Sequence, residues 1–192
     1  MTRIIAGRAK GRRIDAPKGD RTRPTTERTR EALFSALASW FGAADRAPDE
    51  HLAGIAVLDL FGGSGAIGLE SASRGAGPVV ILEGDPSTAK LIRGSARATK
   101  LHVDVIAGKL PGALEQVVGE FDFVFVDPPY DFGPEGIDEL LAALVAGGKL
   151  TGQALVVVER SRRSRQPAWP EEFTETWSRR YGEATLYFGS TD

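Results

Sequence analysis

The sequence predicts an α/β protein built on a mostly parallel β-sheet, with a small N-terminal β-hairpin and an antiparallel hairpin at the C-terminus. From residue 55 onwards, short apolar runs alternate with helical patterns, which is the rhythm of βαβ units. The first apolar run breaks into a glycine-rich turn, and two later runs end in a carboxylate. In such folds ligands bind outside the carboxyl ends of the strands, so these features predict a ligand site there.

The N-terminal segment is strongly basic. Residues 1–31 carry ten Lys and Arg against four Asp and Glu, although the whole chain has a net charge of −2. Short apolar pairs around Gly7 and Gly11 predict a β-hairpin, which has too little apolar surface to fix itself in place. We therefore expect residues 1–22 to form a mobile arm that binds a polyanion. A solvated charged face is the alternative interpretation.

A helix follows the Arg23-Pro-Thr-Thr stretch. Thr25 is the expected N-cap, and Glu27 lies in the first turn, where the helix dipole favours a carboxylate. One apolar face is formed at helical spacing by Leu33, Phe34, Leu37 and Phe41.

The next stretch combines a strand with a turn. Ile55–Leu60 is predicted to be a buried strand with Asp59 near its end, and it breaks into Gly62-Gly-Ser-Gly65 before a helix that ends at Ser73. This is the geometry in which a nucleotide-like ligand lies against backbone, and glycine leaves no Cβ in its way. The same pattern also serves simply to pack a helix on a strand, so the turn alone leaves both interpretations open.

The second strand, Val79–Leu82, is followed by Glu83. An acidic residue about 20 residues after a glycine turn is where doubly wound folds hold ribose hydroxyls. Asp85-Pro86 then has the pattern of an N-cap and a first helical residue, and this helix is expected to reach Lys100. The third predicted strand is His102–Ile106.

The fourth strand, Phe121–Val126, ends in Asp127-Pro-Pro-Tyr130. Asp127 supplies a carboxylate at the carboxyl end of a strand, and the two prolines fix the backbone, so the Pro128 carbonyl is held in one orientation. Tyr130 offers a flat ring. A rigid strand-to-loop turn is the structural alternative, but a carboxylate beside a fixed carbonyl at this edge favours ligand binding.

The remainder of the chain completes the alternation. Leu110–Val118 is predicted to be a helix despite Pro111, Ile137–Val145 is an apolar helix, and Ala154–Val158 is a fifth strand. An exposed loop is the favoured interpretation of Arg160, Arg162, Arg163 and Arg165, and an extension of the basic binding surface is the alternative. A closing antiparallel hairpin is formed by Phe173–Arg180 and Glu183–Phe188.

These motifs together resemble a known family. Asp59-Leu-Phe-Gly-Gly-Ser-Gly65 resembles the first motif of S-adenosylmethionine-dependent methyltransferases, and Asp127-Pro-Pro-Tyr130 resembles the tetrapeptide of those that methylate exocyclic amines. Arg3-Ile-Ile-Ala-Gly-Arg-Ala-Lys-Gly-Arg12 and Thr22-Arg-Pro-Thr-Thr-Glu-Arg-Thr-Arg-Glu-Ala-Leu-Phe34 resemble the opening of the RsmD-type 16S rRNA (guanine-N2)-methyltransferases. The resemblance covers nearly the whole chain.

The resemblance implies a Rossmann-like, seven-stranded methyltransferase sheet, with residues 23–192 as the catalytic domain that binds S-adenosylmethionine. The implied cofactor-binding residues are Asp59, Phe61, Gly62, Gly63, Ser64, Gly65 and Glu83. The implied catalytic residues are Asp127, Pro128, Pro129 and Tyr130. RNA contacts are expected from Arg3, Arg8, Lys10, Arg12, Arg13, Arg23, Arg28 and Arg30.

The implied reaction is methyl transfer to the exocyclic N2 of a guanine in 16S rRNA, within the small ribosomal subunit or an assembly intermediate. Asp127 and the Pro128 carbonyl would accept the two N–H bonds of N2, and Tyr130 would stack on the base. Two alternatives stay open. One is an amine methyltransferase of another substrate, such as adenine N6 of DNA or a protein amide; the other is a non-catalytic RNA-binding protein.

Composition excludes several classes of protein. The chain has no cysteine, which excludes disulfides and thiolate chemistry. Its two histidines, His51 and His102, are too few for a histidine metal cluster, so no metal is expected. The sequence has no long apolar stretch and no cleavage pattern, and we expect a cytoplasmic monomer with no membrane contact.

Overall fold

The computed structural model describes residues 2–17 and 25–192, in which nine strands and four α-helices are formed. The strands are β1 (Thr2–Arg3), β2 (Arg13–Ile14), β3 (Val57–Leu60), β4 (Val79–Glu83), β5 (Asp104–Ala107), β6 (Phe121–Val126), β7 (Leu150–Ser161), β8 (Glu175–Tyr181) and β9 (Ala184–Ser190). The α-helices are α1 (Glu27–Trp40), α2 (Ala66–Ser73), α3 (Pro86–Thr99) and α4 (Pro134–Ala146). Short 3-10 helices span Pro48–Glu50, Gly112–Gln116 and Tyr130–Phe132.

Seven strands form one sheet in the order β5-β4-β3-β6-β7-β9-β8. The first five of these are parallel, and β9 runs antiparallel to both of its neighbours. The chain enters at β3, moves outward to β5 and returns to β6 on the other side of β3, and this reversal creates a crevice at the strand ends. The predicted fold class is therefore confirmed, including the antiparallel C-terminal hairpin and the small N-terminal one.

The two faces of the sheet bury different helices. Alternate strand residues such as Val57, Phe125 and Val157 pack with α1, α2, α3 and the N-terminal hairpin. The intervening residues pack with α4 on the opposite face. No helix in the described part of the chain has the length and apolar character that crossing a bilayer requires.

Three local predictions differ from the structure. The N-cap of α1 is Thr26 rather than Thr25, because the Thr26 hydroxyl accepts the Thr29 amide at 3.1 Å. The helix predicted over Leu110–Val118 is only the 3-10 turn Gly112–Gln116, in a segment bounded by Pro111 and Gly119.

The third difference concerns the fifth parallel strand. It does not stop at Val158 but continues as β7 to Ser161, because β9 pairs with it as far as Ala184. The prediction of an exposed loop from Arg160 is therefore wrong at its first residue, since the Arg160 backbone belongs to the sheet.

The N-terminal segment is docked on helices of the main domain. Ile4, Ala9 and Ile14 are at most 4% exposed and belong to the same core as α1 and α2. The carboxylate of Glu70 in α2 accepts the backbone N–H groups of Ile5 and Ala6. The prediction of a mobile arm is therefore wrong for the described residues 2–17, because their few apolar side chains fill a site that the main domain provides. The predicted boundary between residues 22 and 23 lies outside the described residues.

Candidate active site

Four carboxylates line the carboxyl edge of the parallel strands. Asp59 is the penultimate residue of β3, Glu83 ends β4, Asp127 follows β6, and Glu159 lies near the end of β7. Each stands two residues beyond a core residue of one sheet face, namely Val57, Ile81, Phe125 and Val157. Because side chains alternate along a strand, all four carboxylates project toward that face, which α1, α2 and α3 cover.

The glycine turn joins β3 to α2. The Gly62 amide donates to Leu82 O at 2.8 Å, and the Gly65 amide donates to Gly62 O at 2.7 Å. Gly65 has a φ of +76°, and a Cβ there would lie 2.8 Å from the side chain of Ile92 in α3. The turn is therefore built for glycine by both conformation and space.

Glu83 is bonded to this turn. Its carboxylate accepts the Gly63 amide at 2.7 Å and the Asp85 amide at 2.8 Å. Asp85 in turn caps α3 by accepting the Thr88 amide, as the sequence predicted. Glu83 thus holds the turn after β3 against the turn after β4, and its remaining lone pairs are available for a ligand.

Asp59 lies beneath the turn. Its side chain is 2% exposed, and it accepts the Gly68 amide in the first turn of α2 at 2.9 Å. Burial raises the pKa of Asp59 to about 8, the Gly68 amide opposes this, and the charge of Glu83 adds to it. Asp59 supports the turn from below, and its direct contact with a cofactor stays a prediction.

A cofactor with adjacent ribose and amino-acid parts fits this edge. At Gly62 a Cβ would meet the Ile81 side chain at 2.4 Å, so the backbone of the turn is packed tightly on β4. The first amides of α2 have no partner within the helix, which makes them donors for a carboxylate. Glu83 provides acceptors for hydroxyl groups at the next strand. These residues would hold S-adenosylmethionine in the order that the sequence predicted.

The Asp-Pro-Pro-Tyr segment adjoins the glycine turn. Asp127 is partly buried, Pro128 is buried, and Tyr130 is 69% exposed. The ring of Phe61, at a φ of +63°, meets the ring of Phe132 edge-on with centroids 4.9 Å apart. This aromatic contact joins the loop after β3 to the loop after β6.

Asp127 and Glu159 form a pair of carboxyl groups. They directly follow Val126 and Val158, which are register partners in parallel strands, and neighbouring strands lie about 4.8 Å apart. Burial raises the pKa of Asp127 well above its usual range, and the charge of Glu159 raises it further, whereas Arg160 and the Thr25 hydroxyl oppose the shift. Burial also raises the pKa of Glu159, and Thr25 donates to its carboxylate at 2.7 Å.

A cleft of about 410 Å³ opens beside this pair. It lies between the start of α1, the Asp127–Tyr130 tetrapeptide, the ends of β7 and β8, and the start of β9. Its lining includes Thr26, Thr29, Asp127, Pro128, Pro129, Tyr130, Glu159, Arg160, Ser161 and Tyr181. The cleft has the size of a small-ligand pocket and combines an exposed ring with charged groups.

Six of the predicted RNA-binding side chains are exposed. Arg3 is one of them, and it pairs with Glu27 at 3.0 Å. The others are Arg8, Lys10, Arg12, Arg13 and Arg28. Arg23 lies outside the described residues. The six exposed residues remain predicted RNA contacts.

Arg30 was predicted to contact RNA, and the structure contradicts this prediction. It is 1% exposed, and its guanidinium donates to the Thr2 hydroxyl and to Arg3 O. Because it is enclosed between α1 and β1, it cannot reach a phosphate. It belongs to the buried attachment of the N-terminal segment.

Sequence reasoning missed the site roles of Glu159 and Arg160, which line the cleft, and of Thr25, which contacts Glu159. A signal for Glu159 was present, because it ends a buried strand in the same way as Glu83 and Asp127. Thr25 was misread as a helix cap, and its hydroxyl donates to Glu159 instead. No local pattern marks Arg160, whose position depends on the pairing of β7 with β9.

The comparisons with known proteins agree with this geometry. The family described as conserved hypothetical protein 95 matches residues 2–190. Ribosomal RNA small subunit methyltransferase D of Escherichia coli K12 is 33% identical over 173 residues, which cover 90% of this chain and 81% of that protein. The protein of the same name from Haemophilus influenzae is 30% identical, covering 90% and 84%. The solved structure of yhhF from Escherichia coli superposes with a TM-score of 0.81 at 29% identity, covering 98% and 97%.

The seven-stranded sheet, the glycine turn on β3 and the tetrapeptide after β6 define a class I methyltransferase, an enzyme that uses S-adenosylmethionine. Within that class, the chain belongs to the family of ribosomal RNA small subunit methyltransferase D, as its sequence resemblance implied.

Proposed function

We propose that this enzyme methylates the exocyclic N2 of a guanine in 16S rRNA. The observation that carries the proposal is the position of Asp127 and Pro128, which both line the cleft and follow β6, the strand next to β3 and its glycine turn. The amine of a base in this cleft would donate one N–H to the Asp127 carboxylate and the other to the Pro128 carbonyl. Two fixed acceptors orient the nitrogen lone pair and stabilise the positive charge that develops on it.

Bound S-adenosylmethionine supplies a methyl group that its sulfonium already activates. The remaining requirement is a proton acceptor, because N2 must lose one proton when its bond to carbon forms. Asp127 suits this role better than water, since burial and Glu159 raise its pKa. Tyr130, with its exposed ring, is placed to stack on a base that has left its helix.

The printed names of the relatives support rRNA of the small subunit as the substrate. The exposed cations Arg3, Arg13 and Arg28 near the start of α1 are the proposed phosphate contacts. We place the reaction in the cytoplasm, with a monomeric enzyme acting on the small ribosomal subunit or on an assembly intermediate.

Tritiated methyl transfer to small subunits from cells that lack this protein tests the proposal. Free 16S rRNA and assembly intermediates should be assayed beside whole subunits, and the modified base mapped. We expect one guanine to gain a methyl group on N2, and Asp127→Ala to abolish incorporation while retaining cofactor affinity. Methyl incorporation into DNA or protein instead of rRNA would overturn the proposal in favour of another amine substrate.

A further inference from the structure

The cleft holds more polar groups than methyl transfer to an amine requires. Asp127 and Pro128 already account for the two N–H bonds of N2. Glu159 adds a second carboxylate one strand away, and Arg160 adds a cation with its Nε buried. Within the described residues, that Nε has no hydrogen-bond partner. A buried donor without a partner is costly, and Arg160, unlike Arg30 and Trp169, which also carry such atoms, lines the cleft where a ligand would bind.

Together these groups complement the donors and acceptors of one edge of a base. The Watson–Crick edge of guanine carries an amine at N2, an N–H at N1 and a carbonyl oxygen at O6. An acceptor, a second acceptor and a donor in sequence complement this edge. Asp127, Glu159 and Arg160, which all line the cleft, provide them.

We propose that Glu159 and Arg160 are the residues that select guanine, with the Glu159 carboxylate accepting N1–H and the Arg160 guanidinium donating to O6. This inference rests on the proposed function, because it assumes that Asp127 holds N2. Adenine would present a lone pair at N1 to the Glu159 carboxylate and an amine to Arg160. Both contacts would be repulsive, and a site built to bond one set of groups rejects the other strongly.

Two further contacts position Glu159 for this task. Thr25 donates to one carboxylate oxygen at 2.7 Å, which leaves the other oxygen for the base. The backbone of Glu159 is held in the sheet, because it pairs with Leu186 in β9 and directly follows Val158, which pairs with Val126 in β6. The strand places Arg160 next to it, where its charge lowers the pKa of Asp127.

The test replaces one base. 16S rRNA assembled by splinted ligation carries, at the guanine that the wild-type enzyme methylates, either guanine or 2-aminopurine, and is reconstituted into subunits. 2-Aminopurine keeps the exocyclic amine but has a lone pair at N1 and lacks O6. We expect the wild-type enzyme to prefer guanine by about a hundredfold or more in initial rate.

Glu159→Gln should reduce the ratio of the guanine rate to the 2-aminopurine rate at least tenfold, because a carboxamide can turn its N–H toward the N1 lone pair. Arg160→Met should also reduce the preference for guanine, because the contact to O6 is lost. Glu135→Gln removes the same charge from an exposed position on α4 and serves as the control, with an unchanged preference. Affinity for S-adenosylhomocysteine, measured by calorimetry, should stay at the wild-type value in all three variants.

The outcomes separate the two proposals. If the wild-type enzyme methylates guanine in subunits but prefers it to 2-aminopurine by less than tenfold, base selection by this edge is overturned and the proposed function stands. The same holds if Glu159→Gln and Arg160→Met keep the wild-type preference. If the wild-type enzyme methylates no guanine, the proposed function fails, and the assignment of Glu159 and Arg160 fails with it.

Discussion

The Glu70 carboxylate in α2 accepts the backbone N–H of Ile5 at 2.7 Å, and this bond ties the N-terminal hairpin to the helix that follows the glycine turn. The same carboxylate accepts the Ala6 amide and pairs with Arg74 at 2.8 Å. Glu70 is fully buried, so these donors replace the water molecules that would otherwise solvate its charge. The basic segment is therefore part of the fold as well as a candidate RNA surface.

Glu70→Ala should destabilise the protein by about 3–5 kcal/mol, the usual cost of leaving a buried charge such as Arg74 without its partner. Urea unfolding gives the loss, and hydrogen exchange at the Ile5 and Ala6 amides should accelerate. Glu27→Ala is the matched control, because Glu27 also contacts this segment but only through the exposed Arg3. Glu27→Ala should reduce the free energy of unfolding by far less than Glu70→Ala. Similar losses in the two variants would contradict a buried attachment.

Gly7 lies against the end of α2. A Cβ at Gly7 would stand 2.0 Å from the Ser73 carbonyl oxygen, which accepts the Arg8 amide at 2.8 Å. Gly11 has nearly the same φ, +79° against +81°, but nothing lies within 4 Å of its Cβ position. Both alanine variants carry the cost of a left-handed conformation, about 1–2 kcal/mol. Only Gly7→Ala must also break the contact with Ser73, so its melting temperature should be the lower of the two.

The residues with local signatures could be predicted from sequence. Asp59, Glu83 and Asp127 each end a short apolar run, and a parallel sheet brings such ends to one edge. The fold class followed from the same runs, because their spacing leaves room for little besides a crossover helix. The glycine turn and the tetrapeptide then indicated the kind of ligand.

The contacts that sequence missed join distant parts of the chain. Thr25 reaches Glu159 across 134 residues, and Glu70 reaches Ile5 across 65. Glu70 lies between Leu69 and Ser71 and shows no sign in the sequence that it is enclosed. Arg30 shares a basic stretch with exposed cations, and only the packing of β1 on α1 separates it from them. Such roles depend on tertiary packing, which periodicity does not encode.

Glu83→Ala should raise the dissociation constant of S-adenosylhomocysteine by at least about tenfold, since each lost bond to a charged acceptor is worth about 1.5–3 kcal/mol. Part of the lost affinity would come from the turn itself, because the variant also loses the hydrogen bond that Glu83 accepts from the Gly63 amide. A 2′-deoxyribose analogue of the ligand separates the two effects by calorimetry. If Glu83 holds the ribose, wild type discriminates against the analogue and the variant does not. Equal discrimination in both would leave Glu83 with only its contacts to the turn.

The pH dependence of kcat/KM tests the carboxyl pair. If Asp127 must be ionised to hold and deprotonate N2, the rate rises with pH through its raised pKa. Glu159→Gln removes a neighbouring negative charge, so the pKa of Asp127 falls and the acidic limb moves to lower pH. Thr25→Val removes a hydroxyl that lowers the same pKa, so the limb moves to higher pH.

Because the two variants are expected to shift the limb in opposite directions, a general loss of stability cannot imitate the result. The position of the limb is read from the profile of each variant, so a lower maximal rate does not affect it. Burial is the largest cause of the raised pKa and persists in both variants, so even the Glu159→Gln limb should stay above the usual range for aspartate. Limbs that coincide in wild type and both variants would assign the titration to a group other than Asp127.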